Sequence, residues 1–134
     1  MSDFDANVIK EFRANGGQVP GWDEKWQLLL LHHVGARSGT ERINPLVFQG
    51  VGDSYAIFAS KGGAPDNPDW FHNLMAHPET KIELGDKTVE VTARVAEGSE
   101  RHDIWERQKA TLGNFAEYEA KTDRQIPVVV LDPR

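Results

Sequence analysis

The feature that most constrains the fold of this sequence is a strict alternation of apolar and polar side chains between Thr88 and Val95. Successive side chains of a β-strand point to opposite faces, so this pattern predicts an antiparallel strand with one buried face and one wet face. The residues expected to face inward are Val89, Val91, Ala93 and Val95, and those expected to face outward are Thr88, Glu90, Thr92 and Arg94.

Five further segments combine apolar or β-branched residues with flanking turn residues. They cover residues 26–34, 43–49, 54–60, 81–84 and 128–131. Pro45 lies inside the second segment, which predicts an edge or bulge position because proline cannot donate to a strand ladder. Six strands joined mostly by hairpins favour a mainly β fold with inserted helices, in which a mostly antiparallel sheet closes or partly closes into a barrel.

Helices are predicted at four places. Apolar residues recur at helical spacing up to Asn15-Gly16-Gly17, so residues 1–20 should form an amphipathic helix and its connector. A second helix should span residues 69–76, and Ser99 and an Asn114–Glu117 capping-box pair should begin two more. We expect the first helix to cover a barrel built from residues 25–134 in a single domain. It lacks the basic face that would favour membrane contact.

Composition narrows the possible functions. The chain of 134 residues has a formal net charge of −6, which disfavours nucleic-acid binding because phosphate neutralisation supplies most of that affinity. Cysteine is absent, which excludes disulfides and thiolate chemistry. The longest apolar run, residues 28–31, is far shorter than the ~20 residues of a membrane span. We therefore expect a cytoplasmic monomer or homodimer that acts on a small molecule.

The common phosphate and metal motifs are missing. The sequence contains no GxxxxGK loop, no GxGxxG and no HExxH. His32 and His33 are adjacent within a predicted strand, so they should face opposite sides and cannot easily hold one ion together. We therefore expect no metal site.

Cations are concentrated in one part of an otherwise acidic chain. Within residues 26–52 the only acid is Glu41, whereas Arg37 and Arg42 lie in and after a turn bounded by two glycines. Glycine-permitted turns direct backbone N–H groups towards anions, and Arg adds a forked donor. An anion site is one interpretation, and a polar hairpin with solvated charges is the other.

Two later segments could contact a flat ligand. The strand at residues 54–60 ends in Lys61-Gly62-Gly63, where glycine permits close approach of the backbone, although a flexible loop has the same composition. Residues 67–74 place Trp70 and Asn73 on one helical face. Trp70 taken alone is equally typical of a core.

The order and spacing of these segments resemble the deazaflavin-dependent nitroreductase family. The matching stretches are Gly35-Ala36-Arg37-Ser38-Gly39, Arg42, Asn44-Pro45-Leu46, Ser60-Lys61-Gly62-Gly63, residues 67–74 and residues 118–130. The resemblance implies a split β-barrel related to flavin reductases and pyridoxamine phosphate oxidases. It also implies that the 8-hydroxy-5-deazaflavin coenzyme F-420, in its reduced form, is the hydride donor.

The resemblance also implies roles for individual residues. Arg37, Arg42 and Lys61 would hold the phosphate and anionic tail of the coenzyme. The full coenzyme-binding set would be Arg37, Ser38, Arg42, Pro45, Ala59, Ser60, Lys61, Gly62, Gly63, Ala64, Trp70 and Asn73. Tyr118 and Ser60 would act catalytically by stabilising charge on the acceptor, and Leu112, Phe115 and Tyr118 would line its pocket.

The chain departs from the family pattern at several positions. Ala36 stands where the family often has Arg, so one cation is lost, and only one tyrosine remains at the pocket positions. The expected acceptor is a quinone, an activated alkene or a nitro compound, but nitroimidazole reduction is not implied. Two other interpretations stay open: an FMN-dependent reductase on the same barrel, and a non-catalytic protein that binds or carries a deazaflavin.

Overall fold

A computed structural model describes residues 3–21 and 26–134 of the chain, with side chains from Asp5 onward in the first range. Residues 1–2 and the side chain of Phe4 in the predicted first helix, and residue 25 at the start of the predicted barrel, lie outside what the structure describes. The helices are α1 (Asp3–Ala14), α2 (Asp69–Ala76), α3 (Gly98–Thr111) and α4 (Asn114–Lys121). The strands are β1 (Leu28–Val34), β2 (Glu41–Val51), β3 (Ser54–Phe58), β4 (Glu79–Leu84), β5 (Lys87–Val95) and β6 (Val128–Pro133).

Within the described residues, six strands form a closed barrel in the order β1-β2-β3-β6-β5-β4, and neighbouring strands are antiparallel throughout. The prediction of a mainly β, six-stranded antiparallel barrel with inserted helices is confirmed. The strand ends differ from the predicted ones by at most two residues, and α2 has the predicted limits. No helix in residues 3–21 or 26–134 is long and apolar enough to cross a bilayer.

The alternation in β5 fills the barrel interior. Val91 and Ala93 are buried in the inner core, and Val89 packs against that core while partly exposed. Val95 was expected to face inward, but its side chain is 38% exposed. It is the last residue of β5, so the strand ends there without the core enclosing it.

Both faces of β1 are buried, which explains its unbroken run of leucines. Leu29 and Leu31 belong to the inner core of the barrel. Leu28 and Leu30 face the other way and pack against Phe12 and its neighbours on α1. α1 therefore covers the outer face of β1, as its apolar spacing predicts.

α3 and α4 cover the outer faces of β3 and β6, where Trp105 and Phe115 pack against Phe58. The predicted helix caps are wrong. α3 begins at Gly98, so Ser99 lies inside the helix, and no side chain caps either helix. Asn114 follows the N-cap position of α4, so its amide instead bonds a side chain one turn further along the helix.

The barrel is closed, but β2 has one free edge along residues 41–47, which we call its open stretch. β3 pairs with β2 only through Phe48–Val51, whereas β1 pairs along residues 41–47. Pro45 lies in this stretch, opposite Leu30 of β1 and with no β3 partner. This position agrees with the expectation that the proline lies at an edge, because no third strand needs its missing N–H group.

Candidate functional site

The open stretch of β2 forms one wall of a cleft that contains two cavities. The first, called here the polar cavity, has a volume of about 580 Å³ and is lined by Arg42, Asn44 and neighbouring residues of β1, β2 and α2. The second, called the apolar cavity, has a volume of about 270 Å³. Lys61, Pro68 and Trp70 line both cavities, so the two share a boundary at these residues.

The two cavities differ in chemistry. Arg42 and Lys61 bring positive charge to the polar cavity, and the carboxylates of Glu41 and Asp69 bring negative charge to it. The Glu41 carboxylate already binds His32 Nδ1 at 3.1 Å, and this hydrogen bond is the main reason that the pKa of Glu41 is lowered. The apolar cavity is walled mainly by side chains of α1, β1, β2, β3 and α4, namely Val8, Leu28, Pro45, Leu46, Val47, Phe58, Phe115 and Tyr118.

The segment after β3 places three backbone N–H groups beside the apolar cavity. Ser60 is right-handed helical (φ −76°, ψ −38°), and Lys61 and Gly62 follow with φ of +47° and +64°. A right-handed residue followed by a left-handed one turns successive N–H groups to the same side, which forms an anion-binding nest. No hydrogen-bond acceptor within the described residues pairs with the N–H groups of Ser60, Lys61 or Gly62. We call these three groups the N–H nest.

Arg124 holds this segment in place from the C-terminal part of the chain. Its guanidinium donates to Ser60 O at 2.9 Å, to Ala64 O at 3.0 Å and to Asn67 Oδ1 at 2.6 Å. Lys61 is the only non-glycine residue with positive φ in the described ranges, a conformation that costs about 1–2 kcal/mol. The three bonds of Arg124 stabilise a local conformation that the backbone alone would not favour.

Tyr118 enters the apolar cavity from α4. Asn114 Nδ2 donates to its hydroxyl oxygen at 2.9 Å, so the phenolic proton is left to donate elsewhere. The ring meets Phe115 nearly edge to face, with centroids 5.3 Å apart. Gly63 fits closely beneath α4, because a Cβ atom there would lie 2.8 Å from Tyr118 O. The nest segment and Tyr118 are thus packed directly against each other.

His32 and His33 point to opposite faces of β1, as expected, and have separate partners. His32 Nε2 binds Glu83 at 2.7 Å on the outer face, where Arg13 also binds Glu83. His33 lies between Asn73 of α2 and Asn44 of β2. Burial lowers the pKa of His33, and the positive charge of Arg42 acts in the same direction against the opposing bond to Asn44.

The structure brings many of the predicted site residues together. Eight of them line the two cavities: Arg42, Pro45, Ser60, Lys61, Gly62, Trp70, Phe115 and Tyr118. Seven do not: Arg37 and Ser38 lie in the exposed β1–β2 turn, Gly63 and Ala64 lie behind the nest, and Ala59, Asn73 and Leu112 are buried.

Sequence reasoning assigned no role to three residues of the site. Asn44 and Arg124 lie in stretches that match the family pattern, but the sequence predicts no individual role for them or for His33. Asn44 and His33 line the polar cavity, and Arg124 holds the nest. Their partners lie on distant segments, so only the alternation of β1, which separates His33 from His32, offered a signal in advance.

The donor set fits a flat, partly anionic ligand with a charged tail. Apolar walls suit an aromatic ring, the N–H nest suits a carbonyl or oxyanion at the ring edge, and the two cations suit phosphate or carboxylate groups beyond it. The residues present therefore fit a deazaflavin coenzyme.

Comparison with known proteins agrees with this arrangement. A sequence model of the family described as F420H(2)-dependent quinone reductase matches residues 6–133. An F420H(2)-dependent quinone reductase from Mycobacterium tuberculosis is 38% identical over 125 residues, which covers 89% of this chain and 80% of that protein.

Two solved structures are similar in both sequence and fold. An F420-H2 dependent reductase (FDR-A) is 38% identical with a TM-score of 0.73, and the match covers 86% of this chain and all of that one. A domain-swapped dimer is 35% identical with a TM-score of 0.74, and the match covers 95% of this chain and 96% of that one.

Proposed function

This chain belongs to the F420H(2)-dependent quinone reductase family, and from that premise we propose how its cleft binds the coenzyme and the acceptor. The protein is a deazaflavin-dependent oxidoreductase that uses reduced coenzyme F-420. The coenzyme, when bound, supplies the hydride, and the protein supplies position, charge stabilisation and exclusion of water. The FMN-dependent alternative is not supported.

We propose that the polar cavity receives the phosphodiester and the anionic tail. Arg42 and Lys61 line it, and Arg37 and Ser38 lie on the exposed β1–β2 turn, where they would meet a long tail that extends beyond the cleft. Pro45, Ser60, Gly62 and Trp70 would contact the ring. Ala59, Gly63, Ala64 and Asn73 would support those contacts from behind.

We propose that the acceptor binds in the apolar cavity, between the ring and α4. Phe115 and Tyr118 would form its wall, with Leu112 packed beneath them. Hydride transfer leaves negative charge on an acceptor oxygen, and the Tyr118 O–H and the nest N–H of Ser60 can each stabilise that charge. A quinone suits this pocket best, with activated alkenes and nitro compounds as further candidates.

The observation that carries this proposal is the N–H nest at the boundary between a polar cavity that contains Arg42 and Lys61 and an apolar one. A nest in this position can stabilise the negative charge that moves from the coenzyme ring to the acceptor with the hydride. A simple carrier would need the same contacts to the ring and the tail, so turnover with the reduced coenzyme separates the enzyme from the carrier.

Charge reversal tests the coenzyme site. Because attraction becomes repulsion, Arg37→Glu and Lys61→Glu should each weaken coenzyme binding at least tenfold, or about 1.4 kcal/mol. Added salt should weaken binding of the parent, since exposed charges are screened over about 8–10 Å at moderate ionic strength. A deazaflavin without the tail should be much less sensitive to both changes.

Fluorescence titration of both ligands would measure these effects. Lys87→Glu is the matched control, because Lys87 is an exposed cation at the start of β5 and lines neither cavity. Salt-independent binding with unchanged affinity in the Arg37 and Lys61 variants would remove the anion site. Absence of quinone reduction by protein that binds the reduced coenzyme would instead favour the carrier interpretation.

We further propose a cytoplasmic protein that is a monomer or homodimer. One similar solved structure is a domain-swapped dimer. Light scattering on the purified protein would distinguish the two states.

A further inference from the structure

A chain of four hydrogen-bonding groups crosses the core beside the polar cavity. It starts at the backbone N–H of Ala36 and passes through the side chains of Asn73 and His33 to Asn44. His33 is buried, with 2% of its surface exposed, and Asn73 is buried beside it. The proposed function gives Asn73 only a supporting role behind the ring contacts, and it gives His33 no role.

The direction of every bond in this chain is fixed by its first member. A backbone N–H can only donate, so Asn73 accepts at 2.9 Å through Oδ1 and presents Nδ2 to His33. Asn73 Nδ2 can only donate, so His33 Nδ1, 2.9 Å away, must be the acceptor. The imidazole proton is therefore on Nε2, which donates to Asn44 Oδ1 at 2.6 Å.

The last member of the chain lines the polar cavity. Because Asn44 Oδ1 is held by His33, the amide group of Asn44 cannot turn over without losing that bond. Asn44 Nδ2 has no partner within residues 3–21 and 26–134. Asn44 shares the polar cavity with Arg42 and Lys61, where its two N–H donors are available to an oxygen acceptor.

We propose that His33, as the neutral Nε2–H tautomer, is a positioning residue that fixes Asn44 with its N–H donors available to a bound oxygen ligand in the polar cavity. The identity of that ligand, the deazaflavin coenzyme, rests on the proposed function. The tautomer and the orientation of Asn44 do not, since they follow from contacts within the chain.

The surroundings of His33 keep the ring neutral. Among the charges that act on the ring, Arg42 disfavours a second proton, as does His32 on the opposite face of β1, and Asp69 favours one. Burial has the largest effect and lowers the pKa of His33. A proton on Nδ1 would also face the N–H donor of Asn73 and break the chain of bonds.

Nitrogen-15 spectra of the histidine rings in coenzyme-free protein test the tautomer directly. We expect His33 to show a protonated Nε2 and a bare Nδ1 throughout a range of about pH 6–8, in which an ordinary histidine titrates. A proton on Nδ1, or an average of both tautomers, would overturn the proposal. This readout stands even if the parent protein fails to bind the coenzyme, a result that would refute the proposed function alone.

Coenzyme titration tests the consequence for Asn44. His33→Leu should weaken binding about tenfold, whereas His33→Gln, whose Nε2 can replace the donor to Asn44, should stay within about threefold of the parent. In an Asn44→Ala background, His33→Leu should have no further effect. His102→Gln is the control, because His102 is exposed on α3 and lines neither cavity, and its affinity should equal that of the parent.

Two results would show that His33 has only a structural role. One is an equal loss from His33→Leu in both backgrounds, and the other is an equal loss from His102→Gln and His33→Leu. Either result would overturn the positioning role.

Discussion

Replacing Arg124 by alanine should disrupt the N–H nest from a distance. The guanidinium makes three hydrogen bonds to Ser60, Ala64 and Asn67, at 2.6–3.0 Å. Bonds from a charged donor contribute about 1.5–3 kcal/mol each, so three would amount to about 4.5–9 kcal/mol. Arg124 is half-buried, so water can replace it as a partner of some of these acceptors. Relaxation of Lys61 out of the left-handed conformation also offsets about 1–2 kcal/mol of the loss.

The expected net loss in the free energy of unfolding is about 2–4 kcal/mol. For a chain of this length that corresponds to a fall in Tm of about 7–14 °C. Without the three bonds of Arg124, the left-handed conformation of Lys61 is no longer stabilised. The amides of residues 60–62 should therefore also exchange hydrogen faster. Coenzyme affinity should fall together with that protection.

Thermal melting, hydrogen exchange and coenzyme titration would measure the three effects. Arg101→Ala is the matched control, because Arg101 donates to Ile126 O at 2.7 Å in the same C-terminal region but does not touch the nest segment. It should lower Tm without changing exchange at residues 60–62. Added guanidinium ion should partly restore coenzyme binding to Arg124→Ala. Unchanged exchange and affinity in Arg124→Ala would refute the reasoning, even if Tm falls.

Two further predictions concern catalysis and pH. Tyr118→Phe should lower kcat on quinone and nitro acceptors while leaving coenzyme affinity nearly intact, because the lost hydroxyl contacts the acceptor; parent-like turnover on several acceptors would contradict the role of the hydroxyl. The Arg13 guanidinium lowers the pKa of Glu83, so this pair stabilises the folded state above the usual carboxyl pKa of 4.5, and that contribution is lost as pH falls. Acid unfolding followed by circular dichroism should therefore be less steep in Glu83→Gln, and an unchanged acid profile would show that the pair contributes nothing.

Local patterns were sufficient to predict the barrel and its strands. The alternation in β5 predicts a half-buried antiparallel strand, and Pro68 and His77-Pro78 mark the limits of α2. The caps could not be predicted in the same way, because a polar residue near a helix start has competing partners. Asn114 illustrates this point, since it binds Tyr118 in place of the helix backbone.

The interactions that organise the site depend on tertiary structure. Arg124 reaches Ser60 across 64 positions of sequence, and His33 meets Asn44 only because β1 and β2 pair in a particular register. No periodicity in the sequence encodes either contact. Family resemblance identified the segments that form the cleft, but not which side chains would line it and which would support it from behind.

The position of the cleft follows from a single gap in strand pairing. β2 separates from β3 before Phe48, so the stretch containing Pro45 has one free edge. β3 ends at Phe58, and the segment that follows it, which carries the N–H nest, therefore emerges beside that free edge. α1 and α4 close the apolar side, while Arg42 of β2 and Lys61 after β3 bring positive charge to the other. Pairing of β3 along the whole of β2 would fill the cleft and bury the nest against a strand, so the function depends on the barrel remaining incompletely paired at this point.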